Sequence, residues 1–357
     1  MKKLLGGLAA LCLLNLTLLA ASREAQWKAV REAIGHGLPR TAITNLEPII
    51  QGALKDKAYA EAVKAIGEKL ALEGNIQGNK PEEKILRLQA EVAKAPKEMV
   101  PILHTLLAHW YWQYYQQNRW RFMQRTTTAQ PSGKDFTTWD LPRLFAEIDR
   151  QFAQAMAAKS FLQQTPVSAW DDLLEKGTMP DPYRPTLYDF IVHEALAFYT
   201  SGEQAGARAE DAFELSAASP IFAPPEQFLA WKPAPPTAPA PAEPGLGPEV
   251  SPALKAIGLY QDLLRFHQGD SAPRLAFADA DLERLTWGWN TAFGEEKNAR
   301  YQAALERFTQ SYLDFAISAR AMEQQAQLRK QEGKLVAADA MGLRGGQSFP
   351  VWRGRKL

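Results

Sequence analysis

Residues Tyr111–Thr126, YWQYYQQNRWRFMQRT, decide how the chain is read. With Trp110 in front, seven aromatic side chains fall within seventeen residues, and no other window approaches that density. A second stretch, Arg184–Leu196, RPTLYDFIVHEAL, echoes it. Such a block is a core seam, a stacking surface for a ligand, or a face pressed on a partner. As a seam, Trp112, Tyr115, Trp120 and Phe122 pack against neighbouring helices while tyrosine and indole polar atoms find partners. As a nucleic-acid surface, Arg119, Arg121 and Arg125 interleave with the rings to contact phosphates. As a sugar or peptide groove, the tryptophans line up in solvent. The seam is the expected reading.

Outward from the block the apolar spacing is helical. Upstream, Trp27, Val30 and Ile34 share a stripe that ends at Gly35-His36-Gly37-Leu38-Pro39. Ala42, Ile43, Leu46, Ile49 and Ile50 form a second stripe and Tyr59, Val63, Ile66 and Leu70 a third. Ile85, Leu88 and Val92 mark a fourth, and Met99, Leu103, Leu106 and Leu107 a fifth that runs into the aromatic block. Downstream, Asp140 stands as an N-cap with Pro142 in the first turn, and Leu144, Phe145, Ile148 and Phe152 face inward. Leu187, Phe190, Ile191, Ala195 and Phe198 share one face, and Ser201 with Gln204 makes a capping box. After Ser251-Pro252 the helical pattern resumes, and a last stripe runs from Tyr301 through Ala304, Leu305, Phe308, Tyr312, Phe315 and Ala319 to Met322. No segment alternates with period two. The predicted fold is therefore all-α, an antiparallel helical-hairpin (tetratricopeptide-like) array with no substantial β-sheet, although no strict textual period runs through it.

The boundaries follow from composition. Lys2 and Lys3 precede an apolar run, Leu4–Leu19, that meets small residues and then Arg23 and Glu24, so 1–21 reads as a secretory signal peptide. A retained anchor fits less well, because the run carries Asn15 and Thr17 and falls short of the roughly 20 apolar residues of a span. Residues 22–231 form a helical, repeat-like domain. Residues 232–250 form a linker, with seven prolines in Lys232–Pro248, KPAPPTAPAPAEPGLGP. Residues 251–344 form a helical hairpin region that packs on or continues the array, and 345–357 a disordered or truncated tail. An SH3-type ligand role for the prolines is the sharper alternative.

Composition restricts the chemistry. Lys and Arg number 41 against 40 Asp and Glu, so no global field draws the chain to nucleic acid. The single cysteine, Cys12, lies in the apolar run after Leu11, where lipidation prefers a small residue; a cleaved chain then has no thiol. His36, His104, His109, His193 and His267 lack metal-site spacing, and no phosphate loop or glycine-framed serine occurs. We expect no catalytic, cofactor or metal residues and no cofactor. Trp112, Tyr115, Asn118, Arg119, Trp120, Arg125, Trp139, Asp140, Arg184, Tyr188, Asp189 and His193 are the signature or interaction candidates. Arg119, Arg125 and Arg184 are expected to find their carboxylates in Asp140 and Asp189, since a buried arginine needs one.

Trp110–Trp120, Arg125-Thr126, Thr138–Leu141, Arg184–Phe190 and Tyr260–His267, in that order and spacing, resemble the N-terminal helical region of large bacterial alpha-2-macroglobulin-like proteins. The resemblance covers most of the chain after the signal segment. It implies export to the periplasm or cell surface and a part in a protease-trapping protein. The bait segment, the β-sandwich macroglobulin domains and the Cys-Glu-Gln thioester of that family follow the helical region and do not occur in this sequence. The implied role is thus a scaffold without inhibitory machinery, truncated relative to the family and not an enzyme. Its expected partner is protein, either the rest of a macroglobulin-like chain or a cell-envelope component, with no nucleic acid and no membrane span after cleavage. The alternative is a periplasmic glycan- or peptide-binding module that uses residues 110–122.

Overall fold

The computed structural model describes residues 23–76, 78, 81–124, 133, 135–203, 213–234, 251–333 and 355–357. The expected signal segment with Cys12, Arg125, the 204 end of the capping box, most of the proline-rich linker and tail residues 345–354 lie outside that set.

The described residues are all-α. Their only β-type pairings are isolated bridges, Pro166 with Thr186, Glu175 with Lys356 and Ser216 with Phe293. Helix α1 (23–35) is followed by α2 (Pro39–Lys55), α3 (Tyr59–Ile76), α4 (Pro81–Val92), α5 (Val100–Gln117) and the short α6 (Arg119–Met123). Then come α7 (Leu141–Met156), α8 (Lys159–Gln164), α9 (Leu187–Tyr199) and α10 (Pro225–Ala230). The last four are α11 (Pro252–His267), α12 (Leu275–Thr291), α13 (Lys297–Ser311) and α14 (Ile317–Gln331).

Local rules place most of these boundaries. Pro39 and Pro252 open α2 and α11 at the first helical turn, where no amide hydrogen is needed. Asp140 accepts the Arg143 amide at 3.1 Å and caps α7 as expected. In α2, Ala42, Leu46, Ile49 and Ala53 recur at spacings of three and four and are fully buried.

Packing then follows the degree of apolarity. Helices α5, α9 and α12 are buried around most of their circumference and form the spine; α7 lies against α5 and α9, α11 against α9 and α12, and α13 and α14 against α12. Helices with a single apolar stripe lie outside them. One contiguous core runs from Ala53 to Leu328, so the residues on either side of the proline-rich linker share it. Gln261 of α11 donates to the carbonyls of Phe228 and Trp231 at 2.8 Å each, fixing the chain just before the linker onto the helix just after it.

The last stripe behaves differently from its sequence pattern. It is two helices: α13 ends at Ser311, residues 312–316 turn, and Phe315 is left exposed. The turn lets Tyr301, Ala304, Leu305 and Phe308 of α13 and Ile317, Ala321 and Leu328 of α14 bury together, which one continuous helix would prevent.

Arg284 of α12 is fully buried. Its guanidinium donates to Asp281 (2.6 and 3.0 Å), to the Ile221 carbonyl (2.6 Å) and to the Ala223 carbonyl (3.1 Å), and it lies over the Phe228 ring. One side chain thus satisfies two carbonyls of the short segment 220–223 that packs against α12. Arg284→Leu is expected to lower unfolding free energy by about 3–5 kcal/mol, because Asp281 is left buried without its cation. The double change Arg284→Leu with Asp281→Leu is expected to cost less than the single one, as measured by urea denaturation.

Candidate functional site

The aromatic block is mostly a seam. Tyr111, Tyr114 and Tyr115 are buried in α5, as is Trp110. Tyr111 meets Phe136 edge-on at 5.2 Å, Tyr115 meets Phe145 at 4.9 Å, and Trp112 meets Phe198 at 5.4 Å. Trp139 stacks on Tyr111 at 6.3 Å and carries the Arg143 guanidinium on its ring. Trp112 is half-buried and donates its indole hydrogen to Glu203. Asn118 closes α5 by donating to the Tyr114 carbonyl at 2.8 Å. Trp120 departs from expectation: with α5 ended at Asn118, the short α6 turns it outward and it is 72% exposed, beside an equally open Met123. A glycan or peptide groove along 110–122 needs a row of solvent-facing rings, and Trp120 is the only tryptophan of that stretch that faces solvent.

Two of the expected arginines pair elsewhere among the described residues. Arg119 reaches Glu203 at 3.4 Å and the Tyr115 hydroxyl at 3.3 Å. Arg184 reaches Asp279 and Glu283 of α12. Asp140 and Asp189 serve as helix caps, and Asp189 also takes His267 as its charged partner. Arg125 lies outside the described residues.

The Arg184–Leu196 stretch instead opens onto a buried charged cluster. Thr186 and Asp189 form a reciprocal capping box at the start of α9: Asp189 Oδ2 accepts from the Thr186 amide at 2.9 Å and its hydroxyl at 2.7 Å. Asp189 Oδ1 accepts from His267 Nε2 of α11 at 2.7 Å, and His267 Nδ1 lies 2.7 Å from Asp270. Two separate sequence words, Arg184–Phe190 and Tyr260–His267, thus meet through one hydrogen bond. Tyr188, buried on the same turn, stands edge-on to Phe266 at 5.6 Å with the Lys159 ammonium over its ring.

One turn away, Arg184 Nε donates to Asp279 Oδ2 at 2.9 Å and its Nη2 to Glu283, while Arg320 of α14 donates to Asp279 Oδ1 at 2.6 Å. His193 Nδ1 faces the Asp189 carbonyl at 2.7 Å; a carbonyl only accepts, so that nitrogen carries the hydrogen. Its Nε2 lies 3.3 Å from Glu283 and 3.8 Å from Asp279. The cluster joins α9, α12, α14 and the segment before α9, and through Asp189 and His267 it continues into α11.

Burial pushes the Glu283 carboxyl up, but Arg184, then His193 and Arg320, hold it far below the usual carboxylate range. Burial likewise pushes Asp189 up and is outweighed by His267 and Thr186, leaving it lowered. His267 is depressed by burial and raised more strongly by Asp189 and then Asp270, for a net rise.

His193, Asp279 and Glu283 bring one ligand atom each within 4.8 Å of one another. The donor set does not suit a cation, because two guanidinium groups already neutralise the two carboxylates and a metal would have to displace both. A neighbouring cavity lined by Val167, Pro180, Arg184, Phe190, His193 and Arg355 holds about 20 Å³, room for one water. A larger groove of about 260 Å³ lies elsewhere, between α2, α3 and the α4–α5 connection. Its floor is Ile50, Leu54, Ile66, Leu70 and Met99, and its rim the ion pairs Lys69–Glu47 and Lys94–Glu91.

Sequence reasoning named Arg184, Asp189 and His193 but missed Asp279, Glu283, Arg320 and the role of His267. The signal for two of them was present: Asp279 and Glu283 are four apart and so share one face of α12. Compared with protein-family models, curated proteins and solved structures, the chain matches none.

A histidine whose pKa rises on folding adds stability that is complete below its unfolded value, about 6.5, and is lost as pH climbs through the folded value. Unfolding free energy is therefore expected to fall as pH rises above about 6.5. His267→Gln is expected to cost about 3 kcal/mol at the acid end and to flatten that decline. Denaturation across this pH range checks both.

Proposed function

We propose that this chain is an exported, non-catalytic helical scaffold that docks onto other proteins, with tetratricopeptide-like hairpins as its interaction units. What carries the reading is where the charge goes. The arginines, histidines and acids buried with α9 and α12 are consumed in joining helices to one another, with a neighbouring cavity that admits one water and no substrate. The apolar-floored, ion-paired groove beside α2 and α3 offers the opposite chemistry: space for side chains of a partner and no juxtaposed acid and base left free for catalysis. The resemblance of the aromatic and Arg184–Phe190 words to the N-terminal region of alpha-2-macroglobulin-like proteins supports the same role, as a docking part.

The test is site-specific photo-crosslinking in a bacterial envelope. A photoreactive residue at half-buried Leu54, in the groove, is expected to give discrete protein adducts in the exported fraction, and one at exposed Ser160 of α8 is not. Equal adduct patterns at both positions, or retention of the chain in the cytoplasm, contradict the proposal.

A further inference from the structure

The geometry points to a docking groove for an extended, basic peptide, built by the connection between residues 171 and 181 and filled by the chain's own Arg355–Leu357. Residues 345–357 read from sequence as a structureless or truncated tail, yet these three are seated. The Glu175 amide donates to the Lys356 carbonyl at 2.8 Å and the Lys356 amide to the Glu175 carbonyl at 3.1 Å, a reciprocal antiparallel pair. Main-chain pairing of this kind recognises an extended backbone whatever its side chains.

Specificity comes from the flanks. Arg355 donates to Asp181 at 3.0 Å and to Asp171, and its side chain is only 7% exposed although both aspartates stand at the surface. A guanidinium spanning two carboxylates sits in a fixed geometry that an ammonium does not reproduce. Its stem closes the one-water cavity beside Arg184 and His193, and Leu357 packs against the core. The groove therefore reads an arginine, then a backbone pair, then an apolar residue. A tethered occupant has an effective concentration in the millimolar range, so a free peptide competes poorly against it. The groove accepts a partner's basic strand only when the resident segment leaves. It is remote in sequence from the α2–α3 groove and stands independently of the scaffold reading.

The test uses the full chain and a fluorescently labelled Arg-Lys-Leu amide peptide, with binding read by anisotropy. Arg355→Glu repels the resident segment and is expected to bind the peptide about tenfold or more tighter than the wild type. Adding Asp171→Arg and Asp181→Arg is expected to abolish that binding, and a peptide with glutamate in place of arginine is expected not to bind. Equal affinity of wild type and Arg355→Glu, or affinity indifferent to the aspartate reversal, overturns the proposal. Arg355→Gln carries the same expectation if the glutamate variant does not fold. Hydrogen exchange on the wild type is a second reading: Glu175 and Lys356 amides are expected to be protected, and rapid exchange at both overturns it.

Discussion

Asp279 is fully buried, and the rest of the structure is arranged around that fact. A carboxylate in a helix surrounded by Phe277, Ala278, Ala280 and Leu282 is tolerable only with cations brought from outside its own helix. Arg184 comes from the segment before α9 and Arg320 from α14, and each binds one of the two oxygens. Those contacts fix where α14 lies and how the chain enters α9. That entry in turn sets Asp189 against His267, which draws in α11. A single buried charge thereby correlates the positions of four helices that apolar packing alone would leave freer to slide.

The aromatic seam does complementary work on the other side of α9. Phe198 meets Trp112 and Phe145 edge-to-face and Phe152 at a tilt, so α5, α7 and α9 interdigitate through their rings. Rings supply area and shape, and the ionic cluster supplies register. Helix α9 carries both, with Phe198 facing the seam and Asp189 and His193 facing the charges, which is why the Arg184–Leu196 stretch is so dense in distinctive residues.

Much of this was legible in the sequence. The helices show as stripes of spacing three and four, and the cap at Asp140 as an acid before a Leu-Pro start. The seam showed as aromatic density. Three things were not legible. The break at 312–316 is hidden because Tyr312 and Phe315 keep the helical spacing across it, and tertiary pairing of α13 with α14 decides the turn. Trp120 looks like its neighbours, and its exposure follows from α5 ending at Asn118. The partners of Arg184 lie about 95 residues away, and local pattern carries no information on which acid a distant arginine will meet.

The central claim is that the buried cluster is a clasp whose members act together. A double-mutant cycle on Arg184→Met and Asp279→Asn, followed by urea denaturation, measures it directly. The account predicts that each single change costs about 3–5 kcal/mol and that the two together cost at least about 2 kcal/mol less than their sum. Additivity within about 0.5 kcal/mol would show the two residues to be independent and would contradict the account.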